Sequence, residues 1–223
     1  MKKTLTLLAF IVIAPCILSF TEDCPSGINL LPMYGKVKKC KDQLKADSAF
    51  IKDCAENFND RHEASKSFTS KAWFYFNKKK TDSAMIRFNQ AWLLDSLNAD
   101  VYWGFGNLCG VKKKFKESLP FFKRSLKLDP SNAMAWEGMA SSQLSLYEQG
   151  AGLASLHDGI QSLKKSAKLD PENSRVYAQL TTAYCFAKQK DSAVKYLKLA
   201  DRLDRNAVSP TVRKLLSGQI KRK

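Results

Sequence analysis

The chain is poor in the residues that build metal centres and nucleophilic sites. Its two histidines, His62 and His157, have no neighbours at ligand spacing, and no Cys-x-x-Cys pair occurs, so no metal site is expected. Gly-x-Ser-x-Gly, His-Glu-x-x-His and Gly-x-x-x-x-Gly-Lys-Ser/Thr are missing, and the carboxylates are scattered with no pair clearly placed on one inward face. These absences point away from an enzyme and from any cofactor. Sustained apolar alternation at a period of two is also missing, which argues against a β-sheet. Ten glycines and 7 prolines are too few for a collagen-like or low-complexity chain. Acidic residues are outnumbered by basic ones, 21 against 37, giving a net charge of +16 and a pI near 9.6. That excess admits anionic partners or surfaces without naming one. Hydrophobic residues at 44% supply enough apolar surface for a core, so wholesale disorder is excluded.

Lys2 and Lys3 precede an apolar run from Leu5 to Phe20, interrupted by Pro15. A basic start before a short apolar stretch reads as a secretory signal over residues 1–20, and about 16 residues are short for a bilayer span. The protein is therefore expected to be exported, and periplasmic or envelope-associated in a bacterium. A retained N-terminal anchor is the alternative. Ile13-Ala14-Pro15-Cys16 resembles a bacterial lipoprotein box, whose Cys16 would carry the lipid, although Pro15 stands where a small residue is expected. Five cysteines follow Cys16, so not every one can pair internally. Cys40 and Cys54 fall on one helix-like stretch, roughly 21 Å apart at 1.5 Å per residue and beyond disulfide reach. Cys24, beside Pro25 and Gly27, can reach Cys40; free thiols are the alternative.

The rest of the chain is periodic. Leu94-Asp95, Leu128-Asp129, Leu169-Asp170 and Leu203-Asp204 recur at intervals of 34, 41 and 34 residues. Phe88, Phe122, Leu163 and Leu197 keep the same intervals, while Phe68, Tyr102, Trp136 and Tyr177 are spaced 34, 34 and 41. Each period reads as two helices. Asp82-Ser83 and Asp191-Ser192 fall where second helices begin, as capping oxygens would, and Pro130 and Pro171 fall just past their ends.

These units resemble the tetratricopeptide repeat (TPR) family. Residues 65–98 carry its pattern as Phe68, Ala72, Tyr75, Ala84, Phe88 and Ala91; 99–132 as Tyr102, Phe105, Gly106, Phe122 and Pro130. Residues 174–207 carry Tyr177, Leu180, Tyr184, Ala193, Leu197 and Ala200. The third unit, 133–173, keeps Trp136, Met139, Ala140, Gly159, Leu163 and Pro171 but is seven residues longer than the others, its extra length expected near Tyr147–Leu153. The resemblance implies an all-α, right-handed solenoid of stacked antiparallel helix pairs. Residues 21–35 are expected to be a flexible linker and 36–64 an N-terminal capping region. Residues 208–223 are expected to form a closing helix with a basic tail, because a solenoid must cover its terminal apolar faces.

In the family, first helices line a concave groove. The corresponding positions here are Thr69, Trp73, Phe76, Trp103, Asn107, Glu137, Ser141, Leu144, Thr182 and Phe186. The resemblance implies a non-enzymatic interaction module or scaffold that binds a segment of another protein there, with Trp73 and Trp103 as aromatic anchors. They share nearly one column, as an aromatic strip would, and their spacing of 30 residues, one helical turn short of the repeat, places them diagonally instead of directly stacked. The subgroup that grips C-terminal carboxylates uses Lys, Arg and Asn, where this chain has Thr69, Trp73, Gly104, Met134 and Gly138. That grip is not implied here. Gly104-Phe105-Gly106-Asn107-Leu108-Cys109-Gly110 superficially resembles a phosphate loop but lies inside a helix, so Gly106 is expected to be a packing residue. Lys78, Lys79, Lys80, Lys112, Lys113, Lys114, Lys188 and Lys190 fall in turns between paired helices, so a basic ridge is expected along one edge. An anionic membrane or envelope surface is its natural counterpart, giving a second reading as a structural tether; nucleic acid is not expected for an exported chain.

Overall fold

Asparagine starts three of the helices. Asn98, Asn132 and Asn173 each accept a backbone N–H through the side-chain oxygen, at 3.0, 2.9 and 3.4 Å, and Asp60 does the same at 2.7 Å. These caps satisfy orphan amides of α4 (Ala99–Val111), α6 (Ala133–Glu148), α8 (Ser174–Phe186) and α2 (Arg61–Asn77). They are the first helices of the four units. The second helices are α3 (Thr81–Leu94), α5 (Phe115–Leu128), α7 (Leu153–Leu169) and α9 (Lys190–Leu203), and they have no side-chain cap. The capping expected at Asp82 and Asp191 is thus corrected. Both lie inside the first turn, where their charge suits the helix dipole.

Within each unit the first helix ends in the same hydrogen-bonded turn. Lys80 N–H donates to Tyr75 O at 3.0 Å and Lys79 N–H to Phe76 O at 2.8 Å; Lys113–Lys114, Gly150–Ala151 and Lys188–Gln189 repeat the pattern. This arrangement puts one residue in the left-handed region. Gly150 fills it in the third unit, with φ of 91°, but lysine fills it elsewhere, with φ of 58° at Lys79 and Lys113 and 56° at Lys188.

The computed structural model describes residues 23–218, so the expected signal with Cys16, and the basic tail 221–223, lie outside the described residues. No strand occurs among those residues, and successive helices pack pairwise into an α-solenoid. The third unit's extra residues mostly lengthen its two helices, to 16 and 17 residues against 13 and 14 in the second unit. The turn itself grows little.

Ring insertion holds adjacent helices together. Phe122 of α5 is 1% exposed, and a Cβ on either Gly106 or Gly138 would meet its ring at 2.8 or 2.7 Å. Phe88 of α3 fills the same role against Gly104, where a Cβ would lie 2.2 Å from the ring. Glycine is needed at these positions for close approach, as Gly106 was expected to be.

The N-terminal segment departs from its expected role as a flexible linker. Ile28–Leu30 and Pro32–Lys36 form 3₁₀ turns, Ile28 and Tyr34 are buried, and Cys24 is disulfide-bonded to Cys40. Asn89 of α3, fully buried, donates to Asn29 O at 2.9 Å and Leu31 O at 2.8 Å and accepts from Tyr34 N–H at 3.4 Å. Three hydrogen bonds to one side chain offset the left-handed backbone at Met33–Lys36. Beyond it, α1 (Lys41–Asn57) supplies the expected N-terminal helix. The C-terminal cap is α10 (Pro210–Leu216), whose Arg213 pairs with Asp201 of α9. That guanidinium holds the Asp201 carboxyl below its ordinary range.

Two substitutions inside one helix pair should move stability in opposite directions. Lys113→Gly relieves the left-handed lysine and should raise unfolding free energy by about 0.5–1 kcal/mol. Gly104→Ala gains about 1 kcal/mol of helix propensity but forces the Phe88 ring, for a net loss of about 1–2 kcal/mol in urea titrations.

Candidate protein-binding groove

The first helices build two adjoining cavities. One of about 460 Å³ is lined by Trp103, Asn107, Phe115, Glu137, Ser141, Arg175 and Gln179, among others. The next, about 340 Å³, shares Ser141, Ser145, Arg175 and Gln179 and adds Leu144, Thr182 and Phe186. Seven of the expected groove positions therefore come together along one continuous surface.

A buried carboxylate organises its floor. Glu137 is 6% exposed, and its oxygens accept from Arg175 Nε at 2.5 Å and Nη2 at 2.8 Å, and from Gln179 Nε2 at 2.7 Å. Asn173 Nδ2 adds a long contact at 3.5 Å, and Ser141 Oγ donates to Gln179 Oε1 at 3.1 Å. The fork geometry satisfies the carboxylate, which would otherwise be costly at this depth. The same hydrogen bond raises the Arg175 pKa. Arg175 remains 69% exposed and presents its charge at the groove. The charge pair orients the side chains on either side of it.

Three expected groove residues have other surroundings. Thr69 is 4% exposed, with Oγ1 donating to Ser65 O at 2.8 Å and accepting from Asn98 Nδ2 at 3.3 Å. It belongs to the joint between the first two units, because a small hydroxyl there ties α2 to the α4 cap. Trp73 is partly buried, with its ring centroid 5.3 Å from Phe88 and 5.2 Å from Phe76. The Trp73 and Trp103 centroids lie 4.1 Å from each other at an angle of 42°, so the rings touch while tilted and are not directly stacked. Large indoles bridge the one-turn offset that Cα positions alone suggest. Phe76, Trp73 and Trp103 thus form one aromatic strip, whose Trp103 end lines the larger of the two groove cavities.

Arg175 and Gln179 were not singled out from the sequence. Both stand on the neighbouring first helix, 38 and 42 residues from Glu137. Pairing the inward positions of adjacent units, with the seven-residue insertion taken into account, is the signal that could have found them. Cys109, in α4, is buried, and burial pushes its thiol up to about 11, so it is not a nucleophile at neutral pH.

The edge lysines are exposed, with Lys190 opening α9 and the rest in turns. The ridge is partly neutralised: Lys112 Nζ lies 3.5 Å from Asp82 and Lys114 Nζ 3.1 Å from Glu117. Lys78 Nζ sits 4.2 Å above the Phe74 ring.

No family model matches the chain, and no curated protein matches it. Solved structures do. The pilF protein of Pseudomonas aeruginosa aligns over 71% of this chain and 68% of its own, with a TM-score of 0.59 and 23% identity. TTC0263, a thermophilic TPR protein of Thermus thermophilus, aligns over 69% and 80%, with a TM-score of 0.57 and 16% identity. MamA from Desulfovibrio magneticus RS-1 aligns over 75% and 98%, at 0.54 and 16%. This chain has the tetratricopeptide-repeat fold, an all-α solenoid of stacked helix pairs.

Replacing Trp73 by Ala removes contacts to three rings and should cost about 3 kcal/mol of stability. Trp103→Ala should cost less than half as much, and thermal melts of the two variants side by side measure the difference.

Proposed function

We propose that the protein is a non-enzymatic scaffold of the cell envelope that holds an extended or helical segment of another protein along its concave groove. The observation that carries this reading is the continuity of the two cavities past the Glu137–Arg175 pair. Trp103 and Phe115 offer an apolar anchor point at one end, Phe186 and Leu144 another, and Asn107, Ser141 and Gln179 present hydrogen-bonding groups between them. Buried aromatic anchors of this kind dominate many interfaces, at roughly 2 kcal/mol or more each.

Export is supported by the Cys24–Cys40 bond, since structural disulfides persist in oxidising compartments. The tethering alternative through the edge lysines is weakened by their partners Asp82 and Glu117.

Affinity capture from the native envelope fraction, using the full chain as bait, tests the groove. Trp103→Ala should weaken capture of the partner at least tenfold with circular dichroism unchanged, because a buried aromatic anchor contributes that much or more. Undiminished capture by the folded variant would overturn the assignment. Replacing both Cys24 and Cys40 by Ser should lower stability by about 3 kcal/mol, the loop-closure contribution for a ring of this length. A chain purified under non-reducing conditions should carry a single disulfide by mass spectrometry.

A further inference from the structure

The outward face of the second helices carries charge in register. Counting back from each helix end, Lys123, Lys164 and Lys198 stand five residues before it in α5, α7 and α9, and Lys127, Lys168 and Arg202 stand one before it. All six are exposed, and none forms an ion pair with another described residue. Lys164 hydrogen-bonds the Tyr184 side chain, which keeps its charge on the ammonium. The carboxylates Glu117, Asp158 and Asp191 lie at the opposite ends of these helices, and Asp201 is occupied by Arg213. Favourable helix dipoles account for basic residues in the last turn, but not for the column one turn further back.

The equivalent positions of α3 are Asn89 and Leu93, and there the outward face is covered. Asn89 holds Asn29 and Leu31 of the N-terminal segment, and Leu93 adjoins it. The chain therefore joins the fold on the same face that carries the six basic residues. A basic surface supplies the electrostatic one of the two signals that stable membrane association requires.

We propose that the outward face of α5, α7 and α9 docks on a bilayer bearing anionic phospholipid headgroups through Lys123, Lys127, Lys164, Lys168, Lys198 and Arg202. Residues four apart on one helix are about 6 Å apart along its axis, and neighbouring helices repeat the pair, so the charges form a patch and not a line. Each basic residue close to an anionic leaflet contributes roughly a factor of five to partitioning. Docking on this face leaves the concave groove open, so the proposal does not depend on what the groove holds.

Sedimentation of the full chain with vesicles of phosphatidylcholine alone, and with phosphatidylglycerol added, tests it. The wild type should prefer the anionic vesicles about 100-fold or more at low salt, and the preference should shrink as salt rises. Changing all six residues to Gln should abolish the preference while helical content is retained. Changing the edge residues Lys78, Lys79, Lys80, Lys112, Lys113 and Lys114 to Gln should leave most of it. Should the sixfold variant unfold, the triple variant Lys123→Gln, Lys164→Gln, Lys198→Gln should still lower the preference at least tenfold. The proposal is overturned by a wild type with no preference, by a folded outward-face variant that keeps it, or by an edge variant that loses it. Retention on duplex DNA at a salt concentration that releases the vesicles would also overturn it, in favour of a nucleic acid.

Discussion

The first half of this solenoid rests on an aromatic ring entering a place where a helix has no side chain. Phe88 reaches Gly104, and Phe122 is held between Gly106 and Gly138. Each ring comes from a second helix and meets first helices of its own or the following unit, so one contact fixes both pairing and stacking. Close-packed interiors tolerate little change of volume, which makes the glycine as necessary as the ring. The groove then follows, since first helices brought this close leave their other faces turned together on the concave side.

The first unit differs because its outward face is not open. The segment around Tyr34 is drawn onto α3 by Asn89, whose side chain answers two carbonyls and one amide that would otherwise be buried without partners. The disulfide to Cys40 and the bond from Gln43 Nε2 to Pro25 O at 2.8 Å close the segment against α1. A cap made from irregular backbone is possible because nearly every polar group it buries finds a partner. At the other end a short helix suffices, tied by Arg213 to Asp201 and to the Arg205 carbonyl.

Charge is divided between the faces. In the groove, Glu137 and Arg175 cancel each other and serve orientation. On the outside, basic residues repeat with the helices and form no ion pair among the described residues. A net charge of +16 is therefore not spread evenly. It leaves a nearly neutral, partly aromatic concave surface and a strongly basic outward one, which suits two different kinds of contact.

The sequence by itself determined the helix pairs, their order and the length of the repeat, because ring, small residue and turn recur in the same columns and each unit packs only on its neighbours. It also indicated that Gly106 is a packing residue and that Trp103, Asn107, Glu137, Ser141, Thr182 and Phe186 share one surface. Tertiary structure decided what depends on side-chain reach between elements. Thr69 shares the column logic of the groove yet lies in a joint, because Asn98, the cap of α4, bonds to it. Trp73 and Trp103 touch because indole rings span a helical turn that backbone spacing alone cannot close. Residues 24–36 are ordered by Asn89, more than fifty positions away, and Arg175 finds Glu137 across an insertion that shifts the register. Local pattern specifies each helix; partners distant in sequence become visible only when the helices are stacked.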